Sequence, residues 1–232
     1  MNPTRSHSPH RPCTGHPRRR RLTVAQVVLG WFLLIPLLTA QTPSPAPAPT
    51  ATSENKVPAL EPICIIPESY KMRPEIFVLA RGARQVGYTL MRETSSGLEP
   101  YTRVELRNSG MTWQQCLKKG EAAATRHLKT LEPTLHRDER GVITHAHFRS
   151  DNPLTASIFL SPEFLPGFAD TLGKELYVAI PDRFNVFVFP KLSSSIKKSA
   201  SKMAILYKES LYPVSREVFA LSKEGIRVIG KF

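Results

Sequence analysis

Residues 22–40 constrain this chain most: nineteen consecutive positions without a charge, directly behind Arg18-Arg19-Arg20-Arg21. A basic flank, an apolar run and a small residue at its end make the three-part pattern of an export signal. An uncharged run of about 18 residues or more can also cross a bilayer as a helix. Two details favour cleavage between Ala40 and Gln41 over retention as a single-pass anchor. Pro36 breaks the helix four residues before Ala40, and Ala40 presents the small side chain a signal peptidase needs, although Leu38 is bulkier than usual two positions earlier. In both readings the arginines stay inside, and the chain after Gln41 passes to the periplasm or the exterior. The paired arginines also raise the twin-arginine route, but Trp31, Phe32 and the leucines make this run greasier than that route uses.

Export changes how the charge is read. Residues 1–40 carry six of the 32 basic side chains and no acid, so the formal +13 falls to +7, from 26 bases against 19 acids. A moderately basic surface suits envelope proteins, anionic envelope polymers or lipid. It lacks the dense basic stripe of a nucleic-acid footprint, and no nucleic-acid partner is expected. Residues 41–62 hold six prolines among alanine, serine and threonine, a composition that cannot bury apolar area and reads as an extended spacer. At ~3.1 Å per residue it would span roughly 60 Å. Residues 63–232 are long enough for one domain with its own core.

Periodicity in that region alternates between two and 3.6. Residues 75–80, 85–92 and 101–107 read as strands, with a turn at Thr94-Ser95-Ser96-Gly97. Thr112 and Gln115 form a capping box for a helix over 113–131. Trp113, Leu117, Ala124, Leu128 and Leu131 share one of its faces, Gly120 on that face permits a close approach, and Pro133 stops the run. After a charged turn at 137–141, residues 142–148 and 156–160 read as strands, and Ser161-Pro162 begins a short helical piece ending at Gly173. Residues 176–180 and 185–189 flank Pro181-Asp182-Arg183-Phe184 as a hairpin. A helix over 195–209 buries Ile196, Ala200, Met203 and Tyr207. A last hairpin joins 218–221 to 226–229. Hairpins outnumber crossovers, so the expected class is α+β, a single domain with a largely antiparallel sheet and helices packed on one face.

Four stretches occur in an order that resembles the YtpQ-type family of bacterial proteins, which has no assigned activity. They are Ala124 with His127-Leu128, the run Asp151-Asn152-Pro153-Leu154-Thr155-Ala156-Ser157, the hairpin around Pro181-Asp182-Arg183, and Tyr212-Pro213-Val214-Ser215 with Val218-Phe219. The resemblance covers roughly residues 70–232 and implies one compact α+β domain. Members generally lack an export signal, so it carries no cellular location over to this chain.

Candidate chemistry is sparse. His145 and His147, two apart on a strand, point to one face and could share an ion, with Asp151 and His136 near in sequence as further ligands. Two imidazoles fall short of a zinc signature, and a polar strand face is the competing reading. Asp182 and Arg183 read as a binding or acid-catalytic tip, or as ordinary turn chemistry with a solvated arginine. The serines at 193–195, 199 and 201 lie in no nucleophile elbow, and no glycine-rich phosphate loop is present. Lys197, Lys198, Lys202 and Lys208 make a wet helix face without stacking aromatics. Cleavage would remove Cys13 and leave Cys64 and Cys116, an even pair in an oxidising compartment. A bond between them would close a loop of about fifty residues, worth roughly 4 kcal/mol on the chain-entropy model. The alternative is a free Cys116 packed on Met111 in the first turn of its helix.

The expectation is therefore an exported, non-catalytic binding or scaffolding module of the cell envelope or exterior, with no cofactor. The alternative is a secreted metal-assisted hydrolase using His145 and His147.

Overall fold

Two antiparallel sheets divide the strands between them. The computed structural model describes residues 62–191 and 193–232. The arginine cluster, the apolar run with Ala40 and Gln41, Cys13 and residues 41–61 lie outside the described residues. The first sheet holds β1 (Ile63–Ser69), β2 (Val78–Leu79), β3 (Val86–Thr94) and β4 (Gly97–Pro100), and β3 pairs with each of the others. The second holds β5 (Thr134–Arg137), β6 (Ile143–Arg149), β7 (Leu176–Asp182), β8 (Asn185–Pro190), β9 (Glu217–Ser222) and β10 (Gly225–Lys231), in the order β10-β9-β7-β8-β6-β5. The helices are α1 (Arg103–Asn108), α2 (Trp113–Leu128), α3 (Phe164–Gly167) and α4 (Ser195–Glu209), with 3-10 segments at Tyr70–Met72 and Pro153–Leu160. This is the α+β class that the hairpins indicated.

Every residue of β1 is buried, which a strand achieves only when both of its faces are covered. Ile63 and Ile65 enter the main core, while Cys64 and Ile66 join Met91, Ala123 and Leu154 in a second cluster. Helix α2 lies on the Ile65 side. Gly120 makes that possible: a Cβ there would come within 2.7 Å of the Ile65 side chain. The main core continues through Ala146 and Phe148 of β6, Val178 of β7, Val188 of β8 and Phe219 of β9. The opposite face of the second sheet is closed by α4, whose Met203 packs with Ala179, Phe187 and Phe189. The four lysines of α4 stay exposed, as their spacing predicted. Among the described residues no helix is long and apolar enough to cross a membrane.

Several local expectations are corrected. Residues 101–107 are not a strand. Thr102 Oγ1 accepts from the Glu105 amide at 3.1 Å and the Glu105 carboxylate accepts from the Thr102 amide at 2.8 Å, a capping box that starts α1. The alternation was misleading because no residue of α1 is fully buried and only Leu106 packs, half-buried, against the core. That amide, with Arg92 2.7 Å away, holds the Glu105 carboxyl down at about 2. The apolar run at 156–160 is buried throughout but winds as 3-10 helix, opened by Asn152 Oδ1 accepting from the Leu154 amide at 2.9 Å. A short apolar run alone does not separate a buried strand from a buried helical turn. The strand expected over 75–80 shrinks to the exposed pair Val78–Leu79. The chain after Pro133 forms β5 and carries His136.

Candidate functional site

A cleft of about 710 Å3 is assembled from segments far apart in sequence. Lys71 comes from the Tyr70–Met72 turn, Arg84 from the loop before β3, Arg216 from the position just before β9 and Lys231 from the end of β10. All four are exposed, and none has an ion-pair partner among the described residues. Arg216 donates to the Phe232 main-chain oxygen at 3.0 Å. One carboxylate lines the cleft, and it is already engaged. Glu217 Oε1 accepts from the Arg84 amide at 2.8 Å, and Oε2 accepts from the amides of Gln85 and Val86 at 3.1 and 3.0 Å. Those bonds fasten the loop before β3 to β9 and so fix Arg84 beside Arg216. A second tie, from the Val228 amide to the Arg81 carbonyl at 2.8 Å, holds the same loop against β10. Gly82 sits in left-handed conformation there, and a Cβ would meet the Val228 carbonyl oxygen at 2.7 Å. The result is a positive cleft on a braced floor. No window of a dozen residues contains two of its cations, so no local motif could have revealed it.

Asp182 and Arg183 depart from the turn reading. They are 3% and 9% exposed, so the expected solvated arginine is buried. Its Nη2 donates to Glu68 of β1, itself 2% exposed, and the guanidinium lies 4.9 Å from the Tyr212 ring centre. Asp182 Oδ1 accepts from the Phe184 amide at 2.8 Å, which is the expected turn chemistry, and both of its oxygens accept from Asn185 Nδ2 at 2.9 and 3.1 Å. Asn185 Oδ1 therefore faces His147 Nε2, 2.9 Å away, and that nitrogen is the donor. The hairpin is pinned from two sides: the Ala156 amide donates to the Arg183 carbonyl, and the Arg183 amide to the Tyr212 carbonyl. Residues 151–157, the Pro181–Phe184 tip and residues 212–215 thus meet at this hairpin. Helix α2 touches them through His127 Nε2 and Thr155 Oγ1, 3.2 Å apart. A Glu68–Arg183 bond ties this tip to β1 across the two sheets.

His145 and His147 do share a face, as their spacing requires, but stacked rings fill it. His145 stacks on His136 of β5, with centroids 4.2 Å apart, and on Phe189 at 5.3 Å; His147 stacks on Phe187 at 4.1 Å. Burial, aided by the neighbouring imidazole of His136, pushes His145 down to about 4. Burial likewise takes His147 to about 4, against the opposing Asn185 bond. Both are neutral at pH 7. Asp151 is exposed. Among the described residues no group of three or more His, Cys, Asp or Glu side chains is placed to hold a metal ion.

Cys64 and Cys116 are both buried free thiols, in different apolar clusters. Burial, with Glu93 second, pushes the Cys64 thiol up to about 11, and burial raises Cys116 as well. Neither is an activated nucleophile.

Compared with family models, with curated proteins and with solved structures, the chain matches none.

Proposed function

We propose that this chain is an exported, non-catalytic binding module of the cell envelope or exterior, and that it engages a phosphate-bearing anionic polymer through the cleft of Lys71, Arg84, Arg216 and Lys231. The observation that carries the reading is charge availability. Four cations converge on one cleft, and the single carboxylate among its walls is spent on three backbone amides. Such a cleft concentrates a polyanion from solution. The export part rests on the basic flank and the uncharged run at 22–40. A single domain at the end of a proline-rich spacer suits a module that reaches into a polymer layer.

The test is recovery of partners from envelope fractions with the purified protein as bait, followed by equilibrium binding to poly(glycerol phosphate) and to a neutral polysaccharide of similar length. Capture of the anionic polymer, and not the neutral one, supports the proposal. Equal affinity for both would refute it, and stoichiometric zinc in the purified protein would instead favour the hydrolase alternative at His145 and His147.

A further inference from the structure

A smaller cleft of about 290 Å3 has Glu68, Arg73, Thr89 and Arg183 among its walls. Three observations single it out. Thr89 is 1% exposed, and its hydroxyl has no hydrogen-bond partner. Arg183 spends Nη2 on Glu68, yet its buried Nε–H has no acceptor. Arg73 holds φ at 48°, the only non-glycine among the described residues with positive φ, and its guanidinium has no ion-pair partner among them. Orphaned buried donors and left-handed side chains are both costly, and both collect at binding sites.

The charges of the walls specify what would fit. Two guanidiniums, Arg73 and Arg183, and two carboxylates, Glu68 and Glu75, line it; Glu68 Oε1 also accepts from the Ser69 amide at 2.9 Å and Glu75 Oε2 from the Arg103 amide at 3.0 Å. A bare anion would meet the carboxylates and a bare cation the guanidiniums, whereas a zwitterion satisfies both. Apolar surface from Met91, Leu98 and Tyr101 completes the cleft. Its volume lies at the small end of the roughly 300–1,000 Å3 typical of ligand pockets, too small for a nucleotide cofactor and sufficient for one amino acid.

We propose that this cleft binds a free aliphatic α-amino acid. Its carboxylate accepts from Arg183 Nε–H and from Arg73, its ammonium donates to Glu68, its side chain covers Leu98, and the Thr89 hydroxyl gains a partner. The site is separate from the cation-lined cleft, so the polymer reading can fail while this one stands.

Titration calorimetry of the purified protein with L-leucine, acetate and isobutylamine tests the assignment. Leucine should bind, and each half-ligand should bind about tenfold more weakly or worse. Arg183 is unsuited to mutation here, because its loss would strand Glu68. Arg73→Gly keeps the backbone in a conformation glycine adopts freely, so the fold should hold while leucine affinity falls about tenfold. Thr89→Val should weaken leucine binding without lowering the unfolding midpoint, a combination that a purely structural threonine would not give. No heat with leucine, acetate binding as tightly as leucine, or full leucine affinity in Arg73→Gly would each overturn the proposal. In that event the orphaned groups hold ordered water and nothing more.

Discussion

The buried Glu68–Arg183 pair and the cation-lined cleft both sit where the two sheets meet, yet they use charge in opposite ways. The pair is buried, joined to a hydrogen-bonded hairpin and holds β1 against the β7–β8 tip. Lys71, Arg84, Arg216 and Lys231 are exposed and have no ion-pair partner among the described residues, on a floor braced by Glu217. Burial converts a charge into architecture, because an ion out of water must keep its partner. Exposure without a partner leaves it free to attract something else. The two regions should therefore answer mutation in opposite currencies, stability for the pair and affinity for the cleft.

The largest effect is expected at the pair. Arg183→Met leaves Glu68 buried and uncompensated, and should cost about 3–5 kcal/mol in urea unfolding. Replacing Glu68 with leucine as well should recover much of that loss, since removing both charges removes the stranded one. If the single variant unfolds like the wild type, the pair is not the sheet-to-sheet tie described here.

Acid should act next, through the stacked histidines. His145 and His147 sit at about 4 in the folded protein against 6.5 ordinarily. The unfolded chain therefore takes up protons first as the pH falls. Stability should be complete above about pH 6.5 and decline from there to about pH 4. Protonation would also set these rings against each other, His136 and the nearby Lys202, while Arg149 adds to the repulsion at His147. Thermal melts across that range check the slope. The variant His145→Phe, which keeps the stack and removes a titrating group, should flatten it.

A smaller effect of opposite sign belongs to Arg73. A left-handed side chain costs about 1 kcal/mol relative to glycine, so Arg73→Gly should raise the unfolding free energy by up to that amount. Smallest of all is the stability change in the cleft: Lys71→Gln, Arg84→Gln and Lys231→Gln should each stay within about 0.5 kcal/mol of the wild type. Losses above about 1 kcal/mol there would mean that these cations hold the fold together, and the contrast between the regions would collapse.

The hairpins, α4 and the capping box of α2 were legible because their determinants are local: paired strand runs, a helical period, a threonine three residues before a glutamine. The close approach at Gly120 was legible too, since a glycine on a buried face leaves room for a neighbour. Residues 101–107 were misread because Thr102 and Glu105 carry the same capping chemistry in a segment with no buried residue in its helix, where alternation says nothing. Arg183 looked solvated because its partner, Glu68, lies 115 positions away and nothing near the hairpin announces it. The cation-lined cleft was invisible for the same reason, its members drawn together by the pairing of β9 with β10 and by Glu217 gripping three distant amides. Patterns within a dozen residues reveal elements; a site built across two sheets requires the fold.

The most direct test of the central claim, that the cleft's charges are available to a polyanion, is the salt dependence of poly(glycerol phosphate) binding. It should be measured for the wild type and for the combined Lys71→Gln, Arg84→Gln, Lys231→Gln variant. The account predicts a steep fall in wild-type affinity between about 50 and 200 mM salt, from release of condensed counterions, and a log–log slope that shrinks by about one for each cation removed. The unfolding midpoint of the variant should not move. Binding that ignores salt, or a slope that survives the triple substitution, would contradict it.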